Sequence, residues 1–416
     1  MIAANLITPE LLPVNIWKSL KGLPRDVWAL AIATLINRAG MMVLPFLVLY
    51  LTERLAFTPS RAGAAFSMYG LGSLVAAPLS GRLTDRIGPL PVMRSSLILS
   101  GILLLVFPFF ETFASVLAVT FVWALVSDLF RPASMVFIAD VVPPEQLKPA
   151  YALNRLAINV GMSVGPAAAG FIATVSFNWI FVADGITSLA AGIILVMIAF
   201  NVVHQRKAED DSLSPLKLLV LDDSRMVLFL AAVVMFGVVF FQMEGPLALF
   251  LVQDLHQSPA FYGALFTLNT VMIVFIEVPL NAATSHWAHS RGLALGAFLF
   301  ALGSGVFGFA AGPLLVLLGM AIWTFGEMMV FPQAAAFVAE IAPQARRGQY
   351  MGAYSLALSV AFIIGPWLGT VTYAHLGPKL LWAGVFAIGL VSTLMMLRVS
   401  VQHRIIPAPV SPSPET

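Results

Sequence analysis

The sequence has no cysteine and very little charge. Lys and Arg number 22, Asp and Glu number 20, and together they make 10% of 416 residues, whereas 60% are hydrophobic. Without thiols there is no disulfide framework and no thiolate metal site. A net charge of +2 is too small to mark a nucleic-acid partner. An ordinary soluble domain carries about 25% charged residues, so a chain this long could not cover a water-facing surface with the charge it has. Two catalytic signatures are missing as well. None of Lys18, Lys21, Lys148, Lys207, Lys217 and Lys379 follows a glycine, so there is no G-K-[ST] loop to cradle phosphates. No histidine is followed by glutamate, which removes the H-E-x-x-H zinc site. The chain reads as a non-enzyme that needs neither metal nor cofactor. The opening "MIAANLITPELLPVNIWKSLKGLPRD" lacks a basic start followed by an apolar run, and Pro9, Pro13 and Pro24 interrupt it. No cleavable signal peptide is expected, and the first spanning helix should target the chain.

What the chain does have is a succession of apolar runs, each about 20 residues long. They fall at 27–52, 62–80, 92–110, 115–138, 151–174, 179–200, 225–252, 260–283, 292–311, 314–338, 349–373 and 380–398. A lipid-facing backbone must satisfy its own hydrogen bonds, so each run is expected to be a helix. The fold class is therefore an all-α polytopic membrane protein with twelve transmembrane helices. On this map 16 of the Lys and Arg residues lie on one side and three, Arg54, Arg61 and Lys379, on the other. The excess places both termini in the cytoplasm of a multi-pass cell-membrane protein. Arg38, Arg131 and Arg155 fall inside the helices and become functional candidates.

The longest polar connection, "HQRKAEDDSLSPLK" from His204, follows helix six. The expected organisation is a cytoplasmic N-terminal segment 1–26, a six-helix bundle 27–200, a linker 201–224, a second bundle 225–398 and a tail 399–416. The halves resemble each other. In "FRPASMVFIADVVPPEQ" and "VFPQAAAFVAEIAPQAR", Pro132, Ala139, Asp140 and Pro143 match Pro332, Ala339, Glu340 and Pro343, each at an offset of 200. "GPAAAG" from Gly165 and "GPWLGT" from Gly365 continue that register, and "APLSG" and "VPLNA" match at 201. Duplicated six-helix units are characteristic of transporters whose substrate site lies at the repeat interface near the midplane.

"GRLTDRIG", Gly81 to Gly88, resembles the loop signature of the major facilitator superfamily, G-x-L-x-D-R-x-G, placed between helices two and three; Pro89 and Leu90 replace the basic pair that usually follows. The resemblance covers residues 25–400 and implies two pseudo-symmetric bundles related by an axis along the membrane normal. It also implies a gating motif of Gly81, Asp85, Arg86 and Gly88, in which Asp85 latches the cytoplasmic side. "GMSVGPAAAG", Gly161 to Gly170, resembles the motif of the superfamily's proton-driven exporters, with Ala169 replacing a glycine. Physically, Gly161, Gly165 and Gly170 permit close helix approach, and Pro166 loosens the backbone there.

"GEMMVFPQAAAFVAEIAPQARRGQYMGAY" is similar to the tenth-helix region of bacterial multidrug:proton antiporters. That likeness implies that Asp128 in helix four and Glu327 in helix ten serve substrate and proton. A charge near the bilayer centre costs at least ~2.5 kcal/mol, so both carboxylates need a reason to be there. Arg131 lies three residues after Asp128 and would share its helix face and neutralise it. Asn37 and Arg38 of helix one could pair with the same aspartate. Arg155 is expected to snorkel to the cytoplasmic edge, and Asp184 to be a cap or packing residue. Glu244 and Glu277 are alternative proton sites. Aromatics near Asp128 and Glu327, including Trp123, Phe240, Trp323 and Phe331, suit an amphipathic ligand. The expected function is proton-coupled efflux of amphipathic or cationic small molecules by a monomer in the lipid bilayer. The alternative is transport of a defined metabolite such as a siderophore, sugar or lipid precursor.

Overall fold

The computed structural model describes residues 22–198, 200, 223–343 and 346–399. The expected N-terminal segment up to residue 21, most of the linker and the tail from residue 400 lie outside the described residues. Among those described there is helix, turn and bend but no strand.

Eleven helical runs are long and apolar enough to cross a membrane. They are α1 (Arg25–Arg54), α2 (Pro59–Ile87), α3 (Pro89–Phe109), α4 (Phe113–Val141), α5 (Pro149–Ala173), α6 (Phe177–Met197), α7 (Ser224–Asp254), α8 (Pro259–Thr284), α9 (His289–Phe307), α10 (Pro313–Ile341) and a final run Gly348–Arg398. That final run of 51 residues is interrupted by Gly377 at φ 80, a left-handed conformation that glycine adopts without steric cost. It is therefore two helices, α11 (348–376) and α12 (378–398), and the total is the expected twelve.

Local chemistry explains the boundaries. Prolines start α2, α3, α8 and α10, where their missing N–H is not needed. Thr112 caps α4 by accepting from Ser115 N, and Ser176 caps α6 by accepting from Asn178 N. Asp223 caps α7, accepting from Arg225 N at 3.1 Å and pairing with its guanidinium at 3.2 Å. Burial pushes the Asp223 carboxyl upward, but the Arg225 hydrogen bonds and charge outweigh it and hold the group below the usual carboxylate range.

The duplication is visible in backbone detail. Both α1 and α7 end in a π turn, Tyr50–Arg54 and Phe250–Asp254. Each turn is followed by a positive-φ residue, Ala56 at 52° and His256 at 51°. Phe57 N donates to Leu51 O at 2.9 Å, and Gln257 N to Leu251 O at 2.8 Å.

The chain divides into two compact units. One holds the described residues up to Tyr50, those of the 68–210 stretch, and Ser258–Thr270; the other holds Leu51–Ser67, those of 211–257, and those from Val271 onward. The starts of α2 and α8 are thus exchanged between the repeats. In the first unit Thr267 Oγ1 donates to Ser163 O at 2.8 Å, and Gly263 lies against the backbone of Pro166. In the second, Ser67 Oγ donates to Ile363 O at 2.6 Å, and Phe66 packs on Phe362. Ser67 and Thr267, like Ile363 and Ser163, are 200 apart.

Inside the first unit the core gathers Leu30, Val92, Leu97, Ala133, Phe137 and Leu195, from α1, α3, α4 and α6. Lipid tails are as apolar as these side chains, so close packing rather than hydrophobic transfer holds such helices together. Close packing is achieved at Gly101 and Gly185, where α3 and α6 approach until each glycine faces the other's carbonyl.

One expectation is corrected here. Residues 81–87 of "GRLTDRIG" form the last turns of α2 rather than a loop. Only Gly88 turns the chain, at φ 87, and α3 begins at the next residue. The helix continues because nothing before Gly88 breaks its backbone, and its polar end simply runs beyond the apolar stretch.

Candidate functional site

The first unit builds a polar cluster around a break in α1. Its first segment ends at Ala39, and the second, Val43–Leu49, starts after three intervening residues. The amides exposed by that break are gripped by a carboxylate from α6. Asp184 Oδ2 accepts from Met42 N at 3.0 Å and from Val43 N at 3.1 Å, and the residue is only 4% exposed. Asp184 is thus a cap, but on another helix, 142 and 141 residues away in sequence, which no local pattern could announce.

Arg38 sits beside this break. Its Nη1 reaches Met41 Sδ at 3.1 Å, and its Nε is buried without a hydrogen-bond partner. Asp128, Tyr69, Arg131 and Asp184 all act on it electrostatically. No carboxylate comes within ion-pair distance of it among the described residues. Asn37 does not pair with Asp128 as expected; its side chain donates to Ser188 Oγ at 3.2 Å.

The glycine-rich stretch of α5 positions Arg38. A methyl group on Gly161 would lie 2.5 Å from Arg38 Cβ and 2.8 Å from Ala39 N. One on Gly165 would lie 3.0–3.1 Å from the carbonyls of Arg38, Ala39 and Met41. Gly170 faces the Pro259 carbonyl at the start of α8. Pro166 lies within α5, and the backbone beside it meets Gly263.

Asp128 occupies a second break. Helix α4 stops at Ser127 and resumes at Phe130. Pro132 explains this, because it lacks the N–H that would bond the Asp128 carbonyl and its ring presses on that carbonyl. The reading of Arg131 is corrected here. Arg131 is exposed and forms no ion pair with Asp128, acting on it only through space. The carboxylate of Asp128 instead receives Tyr69 Oη at 3.5 Å, a long hydrogen bond, with Ser73 alongside. Tyr69 was invisible to sequence reasoning, since nothing in its spacing links it to Asp128.

The second unit holds the other carboxylates. Glu327 is half-buried on α10, four residues from Trp323 and four from Phe331, so all three share one face. Phe240 of α7 stacks on Trp323 at 5.0 Å and meets Phe331 edge-on at 5.2 Å. The Pro332 ring deprives the Met328 carbonyl of its helical donor, and Asn281 Nδ2 of α8 reaches it at 3.4 Å. Asn281 also donates to the backbone carbonyl of Glu277, a half-buried α8 residue. Glu244, at the break of α7 before Gly245, keeps one buried carboxylate oxygen with no hydrogen-bond partner. No charged neighbour acts on it, so it does not join Glu327 or Glu277 in one cluster. Trp123, Trp323 and Phe130 are each 3% exposed and serve as packing.

At the far end of α2, Asp85 and Arg86 are exposed, and a methyl on Gly81 would meet nothing within 4 Å. Arg155 is exposed as well.

A sequence model described as Major Facilitator Superfamily matches residues 30–250 and again 241–415. The MFS-type transporter YttB of Bacillus subtilis (strain 168) is 25% identical over 89% of this chain and 94% of its own length. The Na(+), Li(+), K(+)/H(+) antiporter of Planococcus maritimus is 24% identical over 79% and 85%. The quinolone resistance protein NorA of Staphylococcus aureus is 26% identical over 41% and 43%. Among solved structures, the peptide transporter POT in complex with sulfate superposes with a TM-score of 0.74 over 92% of this chain and 97% of its own, at 16% identity. A D-xylose–proton symporter gives 0.71 over 90% and 97%, also at 16% identity. With both halves matched by the family model, and the fold shared with solved transporters, the chain belongs to the Major Facilitator Superfamily and is a multi-pass membrane transporter, not an enzyme.

Proposed function

We propose that the protein exports amphipathic, cationic small molecules in exchange for protons, by alternating access. The observation that carries this reading is the state of Asp128. It lies at a proline-made break within a membrane helix, close enough to Arg38 to feel its charge, yet among the described residues it has no ion pair and only neutral hydroxyl partners, Tyr69 at 3.5 Å and Ser73. A carboxylate left in that condition is open to a proton or a cationic ligand, one at the expense of the other. The half-buried Glu327 offers a second carboxylate on the same helix face as the half-buried ring of Phe331, and aromatic rings attract organic cations. Similarity to a Na(+), Li(+), K(+)/H(+) antiporter supports exchange against protons, and similarity over part of the chain to a quinolone resistance protein supports an organic substrate.

The drive is sufficient. One proton exchanged for one monovalent cation moves no net charge, so the pH gradient supplies the drive, about 1.4 kcal/mol or a tenfold concentration ratio per pH unit.

Competition between proton and cation is testable on purified protein. Adding tetraphenylphosphonium in weak buffer should release protons from the wild type, and its affinity should rise with pH. Asp128→Asn should bind it at least tenfold more weakly and release fewer protons. Tight, pH-independent binding by both proteins would defeat the proposal.

A further inference from the structure

The two repeats differ at one place on their outer surface, between the third and sixth helices of each half. In the first repeat, Arg94 of α3 reaches across to the end of α6, donating from Nε to Leu195 O at 2.8 Å and from Nη2 to Ile198 O at 3.4 Å. The guanidinium fills the cleft and satisfies carbonyls that the helix end leaves open. The offset of 200 holds through this region: Ser96 bonds the Val126 carbonyl, and Gly296 lies against the Gly326 carbonyl. Arg94 therefore corresponds to Ala294.

Alanine cannot fill the space. Between α9 and α12 the structure has a groove of about 550 Å³, with Ala294 at its floor and Leu295, Phe298 and Leu397 along its walls. Leu295 is 37% and Leu397 55% exposed, so the groove opens outward on helices long enough to span a bilayer. Its mouth is polar. Arg291 and Trp287 line it at the start of α9, and Arg398 follows Leu397 at the end of α12. The Arg291 side chain is exposed and has no ion-pair partner among the described residues. The nearby acid, Glu340, is engaged by His289 at 2.9 Å, and His286 lies edge-on to Trp287.

We propose that this groove is a binding site for one anionic phospholipid, with its phosphate on Arg291 beside Trp287 and an acyl chain along Ala294, Leu295, Phe298 and Leu397. Charge complementarity selects the headgroup: basic pockets between membrane helices hold anionic headgroups, and a tryptophan at the same level suits the interface. The volume lies within the usual range for small-ligand pockets. The first repeat has no such site, because Arg94 already occupies it with protein carbonyls as partners.

The test titrates purified protein with phosphatidylglycerol and, separately, with phosphatidylcholine of the same chains, reading bound lipid by native mass spectrometry. Wild type should prefer the anionic lipid, Arg291→Gln should lose about fivefold in its affinity, and Arg291→Lys should keep most of it. Ala294→Arg, which recreates the first repeat, should abolish retention of either lipid while leaving the melting temperature near that of wild type. Equal binding of the two lipids to wild type, or undiminished preference in Arg291→Gln, overturns the proposal. So does a dimer that Ala294→Arg dissociates, or displacement of lipid by tetraphenylphosphonium, since the groove would then belong to a second copy or to substrate.

Discussion

Replacing Asp184 probes the break in α1 on which the first-unit cluster depends. A single carboxylate oxygen accepts from two backbone amides at 3.0 and 3.1 Å, in a residue 4% exposed. Ser188 bonds the same carboxylate and in turn receives Asn37, so one side chain ties three helical segments of α1 and α6 together. Charge-assisted hydrogen bonds are roughly twice as strong as neutral ones, about 1.5–3 against 0.5–1.5 kcal/mol. Asp184→Asn can still present one carbonyl oxygen to both amides, so it should lose about 2 kcal/mol. Asp184→Ala orphans both buried N–H groups at about 1–3 kcal/mol each, or about 4 kcal/mol together. The order of melting temperatures in detergent should therefore be wild type, then Asn, then Ala. Hydrogen exchange should rise locally at Met42 and Val43, most in Ala. If the variants melt together with wild type and the two amides stay protected in Ala, Asp184 does not hold the break.

Gly161→Ala should force α1 to move by about 1 Å, since its new carbon would lie 2.5 Å from Arg38 Cβ; overpacking of this kind costs about 1–3 kcal/mol. Gly81→Ala, also within a helix but with open space around it, should be neutral or stabilising by about 0.5–1 kcal/mol; equal effects of the two on melting and transport would contradict the packing argument. Asp223 has a depressed folded-state pKa, so its contribution is present above the unfolded value of about 3.9 and disappears as pH falls through the folded one. Asp223→Asn keeps the helix cap but loses the Arg225 pair, so it should be less stable by under about 1 kcal/mol at pH 7. The gap should close below about pH 4; a gap that widens on acidification would show the sign to be wrong.

The spans were legible because burial in lipid leaves so little freedom: every apolar run of sufficient length had to be a helix. The repeat was legible because Pro132 and Pro332, or Gly165 and Gly365, bend and pack the backbone in the same way in each half. Asp128 stood out as a carboxylate in an apolar run. What could not be read was how its helix behaves around it. The pattern of apolar residues continues across Asp128 and Leu129, so spacing alone suggested an unbroken helix, whereas Pro132 breaks the ladder one turn earlier. Tyr69, and the target of the Asp184 cap, were hidden for a different reason: they meet Asp128 and the α1 break across helices, at separations of 59 and about 140 residues. The Arg94 and Ala294 difference emerges only when the repeat offset is laid over the packed helices.

The central claim, that proton movement through this protein is tied to the movement of an organic cation, rests on Asp128 and is tested in transport at Glu327, the second carboxylate of the proposed exchange. Proteoliposomes carrying wild type or Glu327→Gln, with an imposed pH gradient and a fluorescent lipophilic cation such as ethidium, separate coupling from mere passage. Wild type should accumulate the dye on the acidic side against its gradient, and collapse of the pH gradient by a protonophore should release it. Glu327→Gln, which keeps the shape of the side chain but cannot titrate, should still let the dye equilibrate but should not concentrate it. Equal gradient-driven accumulation by the two proteins would contradict the account.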